Sequence, residues 1–135
     1  MSGPMADRPA DIIRRFCADW SKITEDGGMD RVLAYFTDDA VYHNMPVEPV
    51  NGPAEIRSTL EGFLAGVSRV EFEVRHLLAD GDVVLTERVD YFHLPDGRAI
   101  GLPVMGAFEL TADGKIAAWR DYFDLNKFMT ELGGG

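Results

Sequence analysis

The pattern of apolar and polar positions changes its period along the chain. In the first third, apolar residues recur every three or four positions, which is typical of amphipathic helices packed on a core. The segments "DIIRRFCADWSKI", from Asp11, and "MDRVLAYF" both show this spacing, with "EDGG" between them. After the extended piece "AVYHNM" and a Pro-rich loop, Pro53 suits a first helical position. This third helix, "PAEIRSTLEGFL", has an apolar side made of Ile56, Leu60 and Leu64.

From residue 70 onward the period is two, which is typical of strands. Strands are predicted over "VEFEVRHLL", "VVLTERVDYF", "AIGLPVMGAFEL" and "IAAWRDYFDL", with turns at "ADGD", "PDGR" and "ADGK". In the first of these strands His76 falls on the apolar face, so we expect a hydrogen-bonded core histidine. Pro103 in the third strand predicts a sheet edge or a bulge.

Helices grouped before a run of antiparallel strands predict an α+β fold, in which helices pack on one face of a curved sheet. A sheet curled around helices tends to enclose a pocket. With 135 residues, 46% of them hydrophobic, the chain is the size of one domain. We expect this domain to span residues 10–132, with loose tails over residues 1–9 and 133–135.

Charge and cysteine content exclude several classes of protein. The formal net charge of −10 disfavours nucleic acid and anionic membrane surfaces as partners. No apolar run reaches the ~20 residues of a membrane span, and the polar N-terminus is unlike a signal peptide. Cys17 has no second cysteine to pair with and is expected to be a small core residue, and no His/Cys spacing is typical of a zinc site. A reduced, cytoplasmic protein without metal or cofactor is predicted.

One carboxylate lies on the apolar face of the last predicted strand. The alternation of a strand places Trp119, Asp121 and Phe123 on the same side. An unpaired buried carboxylate costs several kcal/mol, so Asp121 needs a cationic or hydrogen-bonding partner. We interpret Arg88, on a neighbouring predicted strand, as that partner.

The strand that contains Arg88 does not show by pattern alone which face is buried. Arg88 and Asp90 share one face, and an exposed ion pair is the ordinary interpretation of such a spacing. The need to pair Asp121 favours the buried alternative, in which one guanidinium lies between two carboxylates. Tyr42 and Asn44 add polar groups if "AVYHNM" borders the same cavity. Two acids tied to one cation can have different pKa values, as concerted acid and base chemistry requires.

The segments "YHNMP", "TERVD" and "GKIAAWRDYFDL" together resemble the limonene-1,2-epoxide hydrolase family. The resemblance runs from about Trp20 to Phe128. It implies a cone-shaped α+β fold related to nuclear transport factor 2 and ketosteroid isomerase, with a mainly antiparallel mixed sheet around a deep pocket. It also implies a homodimer and a hydrolase acting on ether bonds, which opens a small apolar, cyclic or terpene-like epoxide to a vicinal diol with no metal or covalent intermediate.

The resemblance also implies a role for each polar residue. Asp90 resembles the general acid that protonates the epoxide oxygen, and Asp121 resembles the base that activates water. Tyr42 and Asn44 resemble the groups that hold this water, and Arg88 resembles the bridge between the acids. We expect apolar side chains to line the pocket: Leu64, Phe92, Leu102, Val104, Phe123 and Phe128.

Two other functions use the same fold. In ketosteroid isomerases and polyketide cyclases, a carboxylate base and an oxyanion donor move a proton next to a carbonyl. Such an enzyme does not need an arginine between two acids. A non-catalytic module that binds an apolar ligand is the third alternative.

Overall fold

The structure is a computed structural model and describes residues 8–133. Of the tails predicted over residues 1–9 and 133–135, residues 1–7 and 134–135 lie outside the described residues, and Pro9 begins the first helix. The elements in chain order are α1 (Pro9–Asp19), a 3₁₀ helix (Trp20–Lys22), α2 (Gly28–Leu33), β1 (Phe36–Asn44), β2 (Val50–Asn51), α3 (Gly52–Leu64), β3 (Arg69–Asp80), β4 (Val83–His93), β5 (Ala99–Leu110), β6 (Ile116–Tyr122) and α4 (Leu125–Leu132).

Within residues 8–133, the strands form one six-stranded mixed sheet in the order β2-β1-β6-β5-β4-β3. All neighbouring strands are antiparallel except β1 and β6, which are parallel. This parallel pair brings the first strand of the chain beside the last. The α+β fold with a mainly antiparallel mixed sheet is therefore confirmed, and the site depends on the β1–β6 pairing.

The helices cover one face of the curled sheet. Phe16 of α1 is fully buried and meets Trp119 of β6 edge to face, with 5.1 Å between the ring centroids. Cys17 is also buried, as expected for a small core residue, and burial raises the pKa of its thiol to about 12. Among the described residues, no helix is long and apolar enough to cross a membrane.

Two predicted element boundaries are wrong. The second helix ends at Leu33, and Phe36 begins β1, where its side chain is buried on the core face of the sheet. The last strand ends at Tyr122, and a helix that we did not predict, α4, follows it. Asp124 begins this helix, because its carboxylate accepts a hydrogen bond from the Lys127 backbone N–H at 3.0 Å.

The prediction for His76 is also wrong. Its side chain is 78% exposed and contacts Glu87 on the outer face of the sheet. A bulge between Val74 and His76 shifts the register by one residue, so that the following side chains change face. Leu77, opposite Thr86, takes the inward position instead.

Pro103 lies where β5 has lost one of its two neighbours. It is paired with Val89 of β4, but β6 ends at Tyr122, which is opposite Met105. At Pro103 the strand is therefore a local edge, as predicted. The predicted apolar face of β5 is confirmed and consists of Ile100, Leu102, Val104, Phe108 and Leu110, all buried.

Candidate active site

Arg88 lies at the centre of the site with a side chain that is 0% exposed. It binds Asp90 through Nε to Oδ1 at 2.9 Å and through Nη2 to Oδ2 at 2.8 Å. It binds Asp121 through Nη1 to Oδ1 at 3.2 Å and through Nη2 to Oδ2 at 2.8 Å. The remaining donor of Nη1 bonds the Thr86 hydroxyl at 3.1 Å. All five guanidinium N–H groups therefore have acceptors, and two carboxylates share one cation.

Aromatic rings enclose this charged cluster. The Phe72 ring lies 4.6 Å from Arg88 Cζ and stacks on Trp20, with 4.5 Å between the ring centroids. The cation is therefore held against an aromatic face and shielded from solvent. In such an environment, interactions between charges are stronger than in water.

Asp121 has a further donor on its own strand. The indole Nε1 of Trp119 donates to Asp121 Oδ1 at 2.7 Å. Together with the two bonds from Arg88, Asp121 accepts three hydrogen bonds, and Asp90 accepts two, both from Arg88. Donors arranged in this way solvate the negative charge better at Asp121 than at Asp90.

The parallel pairing of β1 and β6 brings Tyr42 and Asn44 to the same site. Tyr42 is opposite Trp119 and stacks on it with 4.4 Å between the ring centroids, and Asn44 is opposite Asp121. All four side chains are buried on the core face. The structure therefore places Asn44 opposite Asp121 and Tyr42 opposite Trp119, and all three polar residues line the same pocket.

Burial and charge change the pKa values of the site. Burial is the main cause that raises the pKa of Asp90 to about 6. The Arg88 guanidinium opposes this rise, and the Asp121 charge adds to it. Burial also raises the pKa of Tyr42 far above its ordinary value, Asp121 adds to this rise, and Asn44 opposes it. Burial lowers the pKa of Arg88, but Asp121 and Asp90 outweigh burial and keep that pKa well above its ordinary value. Tyr42 is therefore a neutral hydroxyl and Arg88 a fixed cation, while the pKa of Asp90 lies at about 6, above the ordinary value of a carboxyl group.

A pocket that is partly open to solvent contains the two carboxylates. Four of the five polar residues line it: Tyr42, Asn44, Asp90 and Asp121. The six expected apolar residues all lie in its wall: Leu64, Phe92, Leu102, Val104, Phe123 and Phe128. Arg88 lies behind the two acids, outside this wall. Ten of the eleven predicted residues thus line one cavity, Arg88 binds two of them from behind, and the catalytic and binding roles of all eleven stay predictions.

Sequence reasoning missed several residues of this site. Four more residues complete the wall: Trp20, Leu60, Phe63 and Phe72. The alternation of the strands could have identified Trp119 and Thr86, because each lies two residues from a predicted acid or cation on the same strand face. Gly106, which lies opposite Asp121, could have been identified as the residue that interrupts the apolar face of β5 between Val104 and Phe108.

The fold and the sequence place the chain in a known family. Residues 13–119 match the SnoaL-like domain, so the chain belongs to the SnoaL-like family. Its fold is that of nuclear transport factor 2-like proteins, as predicted. Among residues 8–133, no group of three or more His, Cys, Asp and Glu side chains is placed to hold a metal ion.

Two comparisons confirm the resemblance to epoxide hydrolases. The chain is 38% identical over 96 residues to epoxide hydrolase EphG of Mycobacterium tuberculosis strain H37Rv, a match covering 71% of this chain and 62% of that protein. It thus spans less than two thirds of that relative. The structure of an LEH-like epoxide hydrolase from M. tuberculosis is similar, with a TM-score of 0.73 and 29% identity over 94% of this chain and 90% of the other.

A third comparison concerns the fold alone. A protein from Catenulispora acidiphila DSM 44928 with a ketosteroid isomerase-like fold has a TM-score of 0.75 and 18% identity over 91% of this chain and 92% of the other. The overall fold therefore does not distinguish hydrolase from isomerase, and the site must decide.

Proposed function

We propose that this protein is an epoxide hydrolase that opens a small apolar epoxide to a vicinal diol by direct attack of water. The observation that carries this proposal is the buried Arg88 between Asp90 and Asp121 in a pocket with apolar walls. Similarity to an M. tuberculosis epoxide hydrolase, in both the sequence and the structure comparison, supports it. We propose both the reaction type, which is that of limonene-1,2-epoxide hydrolases, and the substrate class, a small apolar epoxide.

In the proposed mechanism the two acids act in the same step, one on the epoxide oxygen and the other on the attacking water. The protonated form of Asp90, whose population the raised pKa increases, donates its proton to the epoxide oxygen as the C–O bond breaks. Asp121, whose charge is held by three donors, takes a proton from the water that attacks the ring carbon. The acids end the step with exchanged protonation states, and a proton transfer restores the starting state.

Tyr42 and Asn44 are proposed to position the attacking water. Both line the pocket next to Asp121, and the raised pKa of Tyr42 keeps its hydroxyl as a neutral donor and acceptor. A water that bonds all three groups is fixed in orientation, which lowers the entropy cost of attack. The scheme uses only side chains and water.

The experiment that tests this function is turnover in ¹⁸O-water. The purified protein is incubated with cyclohexene oxide, limonene oxide and styrene oxide, and the diols are analysed by chiral chromatography and mass spectrometry, including a single-turnover run. Label in the first turnover supports direct attack. Label only in later turnovers shows a covalent ester intermediate and contradicts the role of Asp121. If none of the three epoxides is opened, the proposal is wrong for this class of substrate, and a ketosteroid is tested next.

The pH dependence of the rate follows from the pKa of Asp90. A general acid must be protonated, so kcat/KM is expected to fall as pH rises through about 6, roughly tenfold per unit well above that value. Initial rates measured from about pH 5 to about pH 9 test this. A rate that stays constant over that range contradicts Asp90 as the acid.

We also propose that the protein forms a homodimer through the outer face of its sheet. Exposed apolar side chains meet there across neighbouring strands, with Leu78 opposite Leu85 and Met105 opposite Tyr122. Exposed apolar patches of this kind are typical of protein interfaces. The resemblance to the epoxide hydrolase family implies that the partner is a second copy of the chain.

Introducing charge into this face is expected to give a monomer. Leu85→Glu combined with Met105→Glu should halve the mass measured by light scattering, because two buried carboxylates oppose association. Val47→Glu is the matched control, since Val47 is exposed in the loop after β1. A wild-type protein that is already monomeric refutes the dimer.

A further inference from the structure

The contact between Arg88 and Asp121 crosses a strand. Arg88 is on β4 and Asp121 is on β6, and β5 lies between them. Two strands that are not neighbours are separated by roughly 10 Å, and an inward side chain on the middle strand normally fills the gap. Yet Arg88 Nη2 lies 2.8 Å from Asp121 Oδ2. Something in β5 must leave this path open.

Gly106 leaves it open. Gly106 is opposite Thr86 on one side and opposite Asp121 on the other. A Cβ atom at this position would lie 2.4 Å from Arg88 Nη1, 2.7 Å from Asp121 Oδ1 and 2.8 Å from Thr86 Oγ1. All three distances are shorter than any normal contact. The φ angle of Gly106 is not positive, so the glycine is required here for space and not for backbone conformation.

Thr86 binds the second N–H group of Arg88 Nη1. Its side chain is buried, and its hydroxyl accepts the Nη1–H that does not bond Asp121. Without this acceptor one guanidinium N–H would be buried without a partner, which favours rotation of the group toward another acceptor. Thr86 and Gly106 therefore confine Nη1 from two directions.

We propose that Gly106 and Thr86 are positioning residues of the acid–base site: Gly106 provides the gap through which Arg88 reaches Asp121, and Thr86 fixes the guanidinium in that gap. Neither residue lines the pocket, so neither contacts the substrate directly. They determine whether the two acids share one cation. The catalytic part of this inference rests on the proposed function.

Gly106→Ala should separate Arg88 from Asp121 and leave its contacts to Asp90 through Nε and Nη2, which lie away from the inserted methyl group. The cation then compensates Asp90 alone, so the pKa of Asp90 is expected to fall from about 6. The kcat for epoxide opening should fall at least roughly 100-fold, because small misplacements of catalytic groups cost about this much, while KM stays nearly unchanged. Carbon-13 NMR titration of the Asp90 carboxyl measures the first effect, and initial rates measure the second.

Gly101→Ala is the matched control, since Gly101 lies on the same strand and the three atoms nearest to an added Cβ belong to the side chains of Tyr91 and Val89, none closer than 3.1 Å. It should behave as the wild type in both measurements. Thr86→Val removes the hydroxyl at constant shape and should lower kcat about tenfold. Thr86→Ser keeps the hydroxyl and should retain most of the wild-type kcat, which a purely structural role of Thr86 would not predict.

A folded Gly106→Ala protein with unchanged kcat and an unchanged or raised Asp90 pKa overturns the proposal. If Gly106→Ala does not fold, the Thr86 pair decides, and equal impairment of Thr86→Val and Thr86→Ser counts against it. The titration is independent of activity. If the wild type opens no epoxide but the Asp90 pKa still falls in Gly106→Ala, the positioning role stands and the proposed function fails.

Discussion

Replacing Asp121 with asparagine is expected to abolish diol formation while leaving the protein folded. The amide cannot accept a proton from water at neutral pH, and loss of a general base lowers rates by roughly 10²- to 10⁴-fold. The side-chain shape is preserved, and the amide oxygen still accepts from Trp119 Nε1 and Arg88 Nη1, whose donors now lie 2.7 Å and 3.2 Å from Asp121 Oδ1. The amide nitrogen replaces Oδ2, so the 2.8 Å bond from Arg88 Nη2 is lost. Asp90→Asn should be equally inactive, since an amide is a very weak acid.

The measurement is single-turnover diol formation from the most reactive epoxide of the panel, with thermal unfolding as the test of folding. Asp124→Asn is the matched control, because it makes the same change three residues further on at an exposed helix cap, where asparagine also serves well. A fully active and folded Asp121→Asn variant would refute the assignment of the base. An inactive Asp124→Asn variant would show that the assay responds to something other than the site.

Replacing Arg88 with methionine is expected to cause the largest loss of stability. Methionine fills a similar volume against Phe72, but it leaves two carboxylates buried side by side without a cation. Removing one partner of a buried ion pair typically costs about 3–5 kcal/mol of unfolding free energy. Catalysis should be lost as well, because the acid and the base are no longer held together.

This loss should depend on pH in a defined direction. In the wild type the pKa of Asp90 is raised to about 6, above an unfolded value of about 3.9. Without the guanidinium it rises further, because burial and the Asp121 charge then act without compensation. A raised folded pKa gives stability that is present below the unfolded pKa and is lost as pH rises through the folded value. The variant should therefore lie closer to the wild type at about pH 4.5 than at about pH 8.

Urea unfolding of both proteins at the two pH values measures this difference. Arg120→Met is the matched control, because Arg120 pairs with Glu109 across neighbouring strands on the partly solvated side of β6. It should cost less than about 1 kcal/mol at either pH. An Arg88→Met protein that is as stable as the wild type at about pH 8 would show that the two carboxylates do not depend on this cation.

The fold class and the polar residues of the site could be predicted because they follow from local rules. Asp121 between Trp119 and Phe123 conflicts with the alternation of a strand, and that conflict required a cation inside the protein. Arg88, on a neighbouring predicted strand, was the natural candidate to supply it. Errors arose where one residue changes the rule, as at the bulge before His76, because a one-residue shift reverses every later side chain.

Local patterns determined the α+β class, most of the strands and the side chains that face inward on β5 and β6, but not the buried face of β4 or the register of β3 after its bulge. Tertiary structure alone decided which of these side chains meet. The parallel pairing of β1 with β6 brings Asn44 beside Asp121, although the two are far apart in sequence. The strand order places Gly106 between Arg88 and Asp121, where its missing side chain becomes the path for the ion pair. Periodicity reports the face of each residue, but not its neighbours across the sheet, because strand order and register depend on long-range packing.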